Sequence, residues 1–169
     1  FIISLARVAG AESLGAFSFA LALAGVAQTV CDAGFDITLP RSIATNPARA
    51  HRELHRALVV KYALCAIIVP ITLGVAMWRD VSSFALSVIL LADVIPSTIG
   101  YAYVCALRGV HRSNEAAVLG GAYNGIPYLL AIPLVWMHVP VEMSAVLLVM
   151  GDIAKVIHLR QRFRSAVQS

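Results

Sequence analysis

The residues best suited to chemistry in this 169-residue chain are acids and amides set inside apolar runs. Gln28, Asp32 and Asp36 are spaced by four and extend a row of small residues, Ala16, Ala20 and Ala24, down one slowly drifting helical face. A charged side chain at bilayer depth costs at least about 2.5–3.5 kcal/mol on insertion scales, so each such group needs a partner or a role. Asp36 is near the edge of its run and fits an interfacial position. Asp32 is deeper, and either lines a functional cavity or hydrogen-bonds a neighbouring helix. Asp93 stands in mid-run, three residues before Pro96. Proline removes a backbone donor and bends a helix, so Asp93 is either a cation- or proton-coupled group or a cap for backbone freed at the bend. Asp152, one turn from Lys155, most simply forms a local i, i+3 pair. This chemistry needs no resident cofactor or metal, only a coupling ion, H⁺ or Na⁺.

Other chemistries find little support. No P-loop, G-x-S-x-G or dinucleotide glycine fingerprint occurs, which argues against an ATPase or a serine hydrolase. The stretch from His51 to His55 sets two imidazoles four apart around Glu53, but the glutamate does not follow the first His directly. No third ligand is evident, so a solvated stretch is favoured over a zinc site. Cys31, Cys65 and Cys105 are odd in number, lack C-x-x-C spacing, and read as small buried hydrophobes. The chain is not expected to be an enzyme.

The elements that must position these side chains are membrane helices. Some 60% of residues are hydrophobic, 13% are charged and the mean hydropathy is +0.83, against roughly half and a quarter in a soluble domain. Disorder, a disulfide-stapled module and a soluble nucleic-acid binder are disfavoured. A spanning helix needs roughly 20 apolar residues, and five runs qualify: Ala16–Leu39, Ala57–Trp78, Phe84–Leu107, Ala116–Met137 and Val141–Leu159. They do not alternate as barrel strands do. Phe1–Ala9 is too short to span and reads as the tail of a truncated first helix. The expected fold is an all-α polytopic transmembrane bundle with five complete spans plus that tail. Residues 1–159 form the bundle, and 160–169 a basic cytoplasmic tail or linker. Pro70, Pro127 and Pro133 fall within spans, and Gly121-x-x-x-Gly125 offers a small-x-x-x-small contact.

Charge placement sets the orientation. Arg41, Arg49, Arg52, Arg56 and Lys61, then Arg108 and Arg112, then Lys155, Arg160, Arg162 and Arg164 occupy alternate ends of the spans and make up eleven of the 13 basic residues. Arg7 and Arg79 fall on the other side, in short turns around Ala9–Ser13 and Arg79–Ser83, and no base lies near His138–Pro140. By the positive-inside rule the eleven face the cytoplasm, and both ends of the unit are inside. Pro40–Arg56 is the longest polar stretch, and Ala48–Arg56 is expected to lie helically along the membrane surface. It either attracts anionic headgroups, at about 1 kcal/mol per base, or serves topology alone.

Three stretches resemble a known family. Arg7-Val-Ala-Gly10-Ala-Glu12-Ser-Leu-Gly15-Ala-Phe17 resembles the "R-x-L-G-x-E-x-x-G-x-F" opening of bacterial polysaccharide and O-antigen flippases, within the multidrug/oligosaccharidyl-lipid/polysaccharide exporter superfamily. Asp32-Ala-Gly34-Phe-Asp-Ile-Thr-Leu-Pro40-Arg41-Ser-Ile-Ala44 is similar to that family's "D-x-G-(x)n-P-R-x-I-A" end of the second helix. The stretch from Ala106, Arg108 and Gly109 to Asn114 is similar to its turn after the fourth helix. Val8-Ala9 departs from the bulkier pair usual there.

The resemblance implies two six-helix lobes around a central cavity, moving undecaprenyl-pyrophosphate-linked sugars across the bacterial inner membrane by alternating access. This chain would supply the amino-terminal lobe. Arg41, fixed at the cavity mouth by the P-R step, would lead a basic cluster with Arg49, Arg52, Arg56 and Lys61 that draws in the pyrophosphate. Gln28, Asp32 and Asp36 would hydrogen-bond sugar hydroxyls. Implied partners are the lipid-linked oligosaccharide, the lipid bilayer, and polysaccharide polymerase and glycosyltransferase proteins, with no nucleic acid. Two alternatives stay open. One is a proton- or Na⁺-coupled multidrug antiporter of the same superfamily, with Asp32 or Asp93 holding the ion. The other is a non-transporting membrane scaffold for polysaccharide assembly.

Overall fold

The structure, a computed structural model, describes residues 10–79, 84–137 and 141–168. The tail Phe1–Ala9 with Arg7, residues 80–83 of the second outer turn and residues 138–140 lie outside the described residues. Those described form six α-helices: α1 (Gly10–Asp32), α2 (Phe35–Thr45), α3 (Ala50–Arg79), α4 (Phe84–Gly109), α5 (Ser113–Trp136) and α6 (Val141–Gln168). A 3-10 turn, Pro47–Arg49, joins α2 to α3, and there is no strand among the described residues. The protein is an all-α membrane helix bundle.

The helix α4 is the centre. It packs against α1, α2, α3, α5 and α6, and its second half is buried almost all round, from Ala102 through Leu107. A helix apolar on every face belongs in the middle of a bundle. At its amino-terminal end Leu86, Leu90, Leu91 and Val94 meet Phe17, Ala20, Ala24, Ala27 and Cys31 of α1 and Cys65 of α3. At the other end Tyr103 and its neighbours meet Leu39 and Ile43 of α2, Leu54 and Ala57 of α3, and Leu159 and Phe163 of α6. All three cysteines are free and buried.

The sequence reading changes in four places. The run Ala16–Leu39 is broken: α1 ends at Asp32 and α2 starts at Phe35. Ala48–Arg56, expected as a separate helix along the membrane surface, is instead continuous with the bundle, since Ala50–Arg56 are the first turns of the 30-residue α3, and Pro40 before it lies inside α2. The reason is packing, since Leu39, Ile43, Ala50, Leu54 and Ala57 recur at helical spacing and are all buried. At 1.5 Å per residue α3 is about 45 Å long, more than the ~30 Å apolar core of a bilayer, so its basic start projects past the core. Residues 160–168 are not a tail but the last turns of α6, held by Phe163, whose ring meets Tyr103 edge-on at 6.1 Å. Finally, α1 starts at Gly10, so most of the turn expected at Ala9–Ser13 is helical.

Three segments among the described residues are long and apolar enough to cross a membrane: Leu14–Thr45, Pro47–Trp78 and Phe84–Gly109. The sequence reading also has α5 and α6 as spans. Both are of sufficient length; α5 is as apolar as α4, and Glu142, Asp152 and Lys155 make α6 the more polar of the two. Outward faces of α3, α5 and α6 expose Val59, Ile67, Ile71, Leu129, Leu130, Val146 and Met150, as a lipid-facing surface would. Trp78 and Trp136 are exposed at the ends of α3 and α5 opposite the eleven clustered bases, where amphipathic rings favour the interface.

Close helix approach depends on particular glycines. A Cβ at Gly109 would sit 2.7 Å from Ile43 Cβ and 2.9 Å from the Pro40 carbonyl oxygen, so α2 can lie on α4 only because Gly109 has no side chain. A Cβ at Gly121 or Gly125 would meet nothing within 4 Å, so that small-x-x-x-small pair packs no helix among the described residues. Opposite effects follow for two Gly→Ala changes. Gly109→Ala should destabilise the protein by about 1–3 kcal/mol through overpacking, and Gly121→Ala should stabilise it by up to about 1 kcal/mol through helix propensity. Thermal unfolding of both variants in one detergent checks the signs.

Candidate functional site

The site begins at the break between α1 and α2. Ala33 and Gly34 have φ of 44° and 74°, two successive left-handed residues that end one helix and start the next. The left-handed form costs an L-residue with a Cβ roughly 1–2 kcal/mol, so Ala33 must be held there by its surroundings. The holder is Lys61 of α3. Its Nζ donates to Asp32 Oδ1 at 2.5 Å and lies 5.7 Å from the Phe35 ring centroid, gripping the last residue of α1 and the first of α2. Lys61 is 1% exposed and Asp32 22%. The sequence groups Lys61 with the surface arginines, and the structure instead takes it inside as an anchor.

Asp32 also faces a cleft. Gln28, Asp32, Asp36, Ser97, Tyr101, Asn124 and Lys155 are among the residues lining a polar cavity of about 520 Å³ bounded by α1, α2, α4, α5 and α6. Through Gln28, Ser97 and Asn124 it continues into a second cavity of about 400 Å³ that reaches Asp93, Tyr123 and Asp152. The helical register explains why Gln28 and Asp32 line it. In α1 the packed stripe runs Ala20, Ala24, Ala27, Cys31, steps of four, three and four that stay on one face. A strict step of four drifts about 40° each time, which carries Gln28 and Asp32 off that stripe and into the cleft.

Hydrogen bonds fix the walls. Gln28 Nε2 donates to Ser97 Oγ at 3.1 Å. Lys155 Nζ donates to Asn124 Oδ1 at 2.8 Å and to Asp152 Oδ1 at 3.4 Å. Gly100 makes room for this lysine, because a Cβ there would sit 3.3 Å from Lys155 Cδ and Cε. Tyr123 Oη lies 3.2 Å from His158 Nδ1, and the two rings meet edge-on. Asp93 Oδ1 is buried with no hydrogen-bond partner, so this oxygen caps no backbone donor at Pro96. The lane therefore holds Asp32, Asp36, Asp93 and Asp152 against Lys61 and Lys155. Asp36 and Asp93 have no ion-pair partner among the described residues.

The structure thus brings together Gln28, Asp32, Asp36 and Asp93, places Lys61 behind Asp32, and leaves Arg41 elsewhere. Arg41 lies exposed in a separate shallow cleft with Thr38, Thr45, Arg49 and Glu53. Five residues past Asp36 on a helix, it is turned some 140° away. Asn124, Ser97, Tyr101 and the cavity-facing role of Lys155 were not singled out in the sequence. A signal existed, since Asn124 is a polar residue inside an apolar run, but Pro127 and the glycines around it drew the reading to helix shape. No group of three or more His, Cys, Asp or Glu side chains able to hold a metal occurs among the described residues.

With this geometry in place, comparison with known proteins is informative. A family model described as polysaccharide biosynthesis protein matches residues 1–164. The chain belongs to the polysaccharide biosynthesis protein family. No curated protein and no solved structure matches it.

The anchor makes a prediction of its own. Removing one partner of a buried ion pair strands the other, at about 3–5 kcal/mol. Because Asp32 keeps some exposure, Lys61→Met should cost about 3 kcal/mol, and Lys61→Met/Asp32→Asn should recover most of it. A double-mutant cycle read by thermal unfolding in detergent measures the coupling. Equal losses in the single and double variants would show the pair to be incidental.

Proposed function

We propose that the chain is the amino-terminal lobe of a flippase that carries lipid-linked oligosaccharide across the bacterial inner membrane by alternating access, its basic end towards the cytoplasm. The carrying observation is the polar lane itself. An apolar bundle of the polysaccharide biosynthesis family keeps an amide-, hydroxyl- and carboxylate-lined cleft between helices whose outer faces are apolar. Sugar hydroxyls need paired donors and acceptors when they leave water, and Gln28, Asp36, Tyr101 and Asn124 offer both kinds. The lane is rich in acid, so it suits the sugar head better than the pyrophosphate. The diphosphate stays with the arginines at the membrane surface while the sugars enter. Asp93, an intramembrane acid with an unpartnered oxygen, is the seat for a coupling H⁺ or Na⁺. Polymerase and glycosyltransferase proteins remain the expected neighbours.

A second reading, a cation-coupled multidrug antiporter, is favoured by one observation: carboxylates outnumber amines in the lane. Growth of cells on toxic organic cations separates the two.

Asp36 and the Tyr101 hydroxyl line the cavity with no hydrogen bond to the bundle among the described residues, and Tyr101→Phe keeps the ring packed on the core, so they give the cleanest test. Losing one hydrogen bond to substrate costs about 1–2 kcal/mol, so Asp36→Asn/Tyr101→Phe should lower polysaccharide export by the intact transporter about tenfold or more at unchanged membrane abundance. Export at the wild-type rate would remove the lane from the transport path. In a separate assay, Asp93→Asn should make transport insensitive to collapse of the ion gradient. A gradient dependence equal to wild type would free Asp93 from coupling.

A further inference from the structure

A different cleft, of about 300 Å³, opens between α3, α4 and α6 at the end of the bundle where the arginines gather. None of its residues lines the polar lane. Its rim is cationic and polar: His51 and His55 come from α3, and Arg160 and Arg164 from α6. Its floor is apolar, built by Leu54, Leu58, Ile99, Val156 and Phe163. No carboxylate lines it, whereas the lane holds four. All four rim side chains are exposed. Neither Arg160 nor Arg164 has an ion-pair partner among the described residues, although Arg56 and Arg112 each find a glutamate.

The spacing produces this arrangement. Arg160 and Arg164 are one helical turn apart, as are His51 and His55, so each pair stands on one edge of its helix. Between the arginines Phe163 turns inward to 2% exposure, and Leu54 does the same between the histidines, at 4%. Two exposed guanidinium groups thus stand over an apolar trough, near the depth at which α3 leaves the bilayer core. A soluble anion would leave the trough empty. A zwitterionic lipid would leave the arginines unneutralised. An amphiphile with a net anionic head and hydrocarbon chains satisfies rim and floor together, and basic pockets between membrane helices bind anionic headgroups for this reason.

We propose that this groove is a binding site for one anionic diacyl phospholipid, its phosphate held between Arg160 and Arg164 and one acyl chain laid over Leu58, Ile99 and Val156. The lipid ties α3 to α6 behind α4, on the far side of the bundle from the polar lane.

The test uses the purified full chain in neutral detergent, with phosphatidylglycerol and phosphatidylethanolamine of matched chains added in equal amounts and bound lipid read by native mass spectrometry. Wild type should retain one phosphatidylglycerol in preference to phosphatidylethanolamine. At about 1 kcal/mol per basic residue the preference should fall about fivefold for each arginine removed in Arg160→Gln/Arg164→Gln. Arg108→Gln/Arg112→Gln, which removes the same charge outside this groove, should keep it. Should the first variant fail to fold, His51→Ala/His55→Ala reads the same rim from α3, and its loss of preference supports the site. An unchanged preference in a folded rim variant overturns the proposal, as does an equal fall in the Arg108/Arg112 control. Retention of an added polyprenyl diphosphate in place of phosphatidylglycerol overturns it too, by giving the groove to the substrate.

Discussion

The ion pair between Lys61 and Asp32 is the contact on which the rest of the site depends. Two left-handed residues separate α1 from α2, and their conformational cost must be met by contacts on either side. A lysine from α3 meets it by bonding to Asp32 and facing Phe35 at once. With the break held, Asp32 can turn its other carboxylate edge to the cleft, and α2 can swing onto α4 over Gly109. A pair this well buried gains little stability over an apolar substitute. What it fixes is direction: where α1 stops, which way α2 leaves, and therefore where Asp36 lies.

Around α4 the charges are segregated. Carboxylates gather in the lane between α1, α2, α5 and α6, each lysine there drawn in by an acid. Exposed arginines gather at one end of the bundle, in the groove beside α3 and α6 and in the shallow cleft of α2. Since α4 is buried and apolar from Ala102 through Leu107, no ion pair among the described residues connects the two sides there. The separation matters in a low-dielectric bundle, where opposite charges left close together would pair and close the cleft.

Much of the fold was legible in the sequence because membrane helices announce themselves by length and apolarity. The helices from Ala57, Phe84, Ala116 and Val141 onward lie where the runs place them. The failures share a cause. Pro40–Arg56 and residues 160–168 look polar on average, so hydropathy hides the inward positions Ile43, Ala50, Leu54 and Phe163 that make them helices of the bundle. Polarity averaged over a window gives depth in the membrane, whereas spacing gives the side that packs. For the site, the row Gln28, Asp32, Asp36 was readable because acids inside apolar runs are conspicuous. Lys61 was misjudged because its nearest neighbours in sequence are arginines, and only tertiary structure reveals Asp32 within reach.

This difference between neighbours in sequence and neighbours in space also bears on how such a lane could work. Asp32 and Asp152 each have a lysine to neutralise them, so the two amines are spent on the walls. Asp36, partly open at the basic end, and Asp93, buried farther along, are left without partners. A neutral sugar head moving between them would pass acceptors at both ends and mixed amide and hydroxyl groups in the middle, at Gln28, Ser97 and Asn124. An anion on the same route would meet unpaired carboxylates twice. A cation would meet them as attractive sites at both ends. On the proposed reading, the acids of the lane would select by charge as well as by hydrogen bonding. That reading has the head group and a coupling cation share the cleft while the diphosphate is kept to the arginine-rich surface.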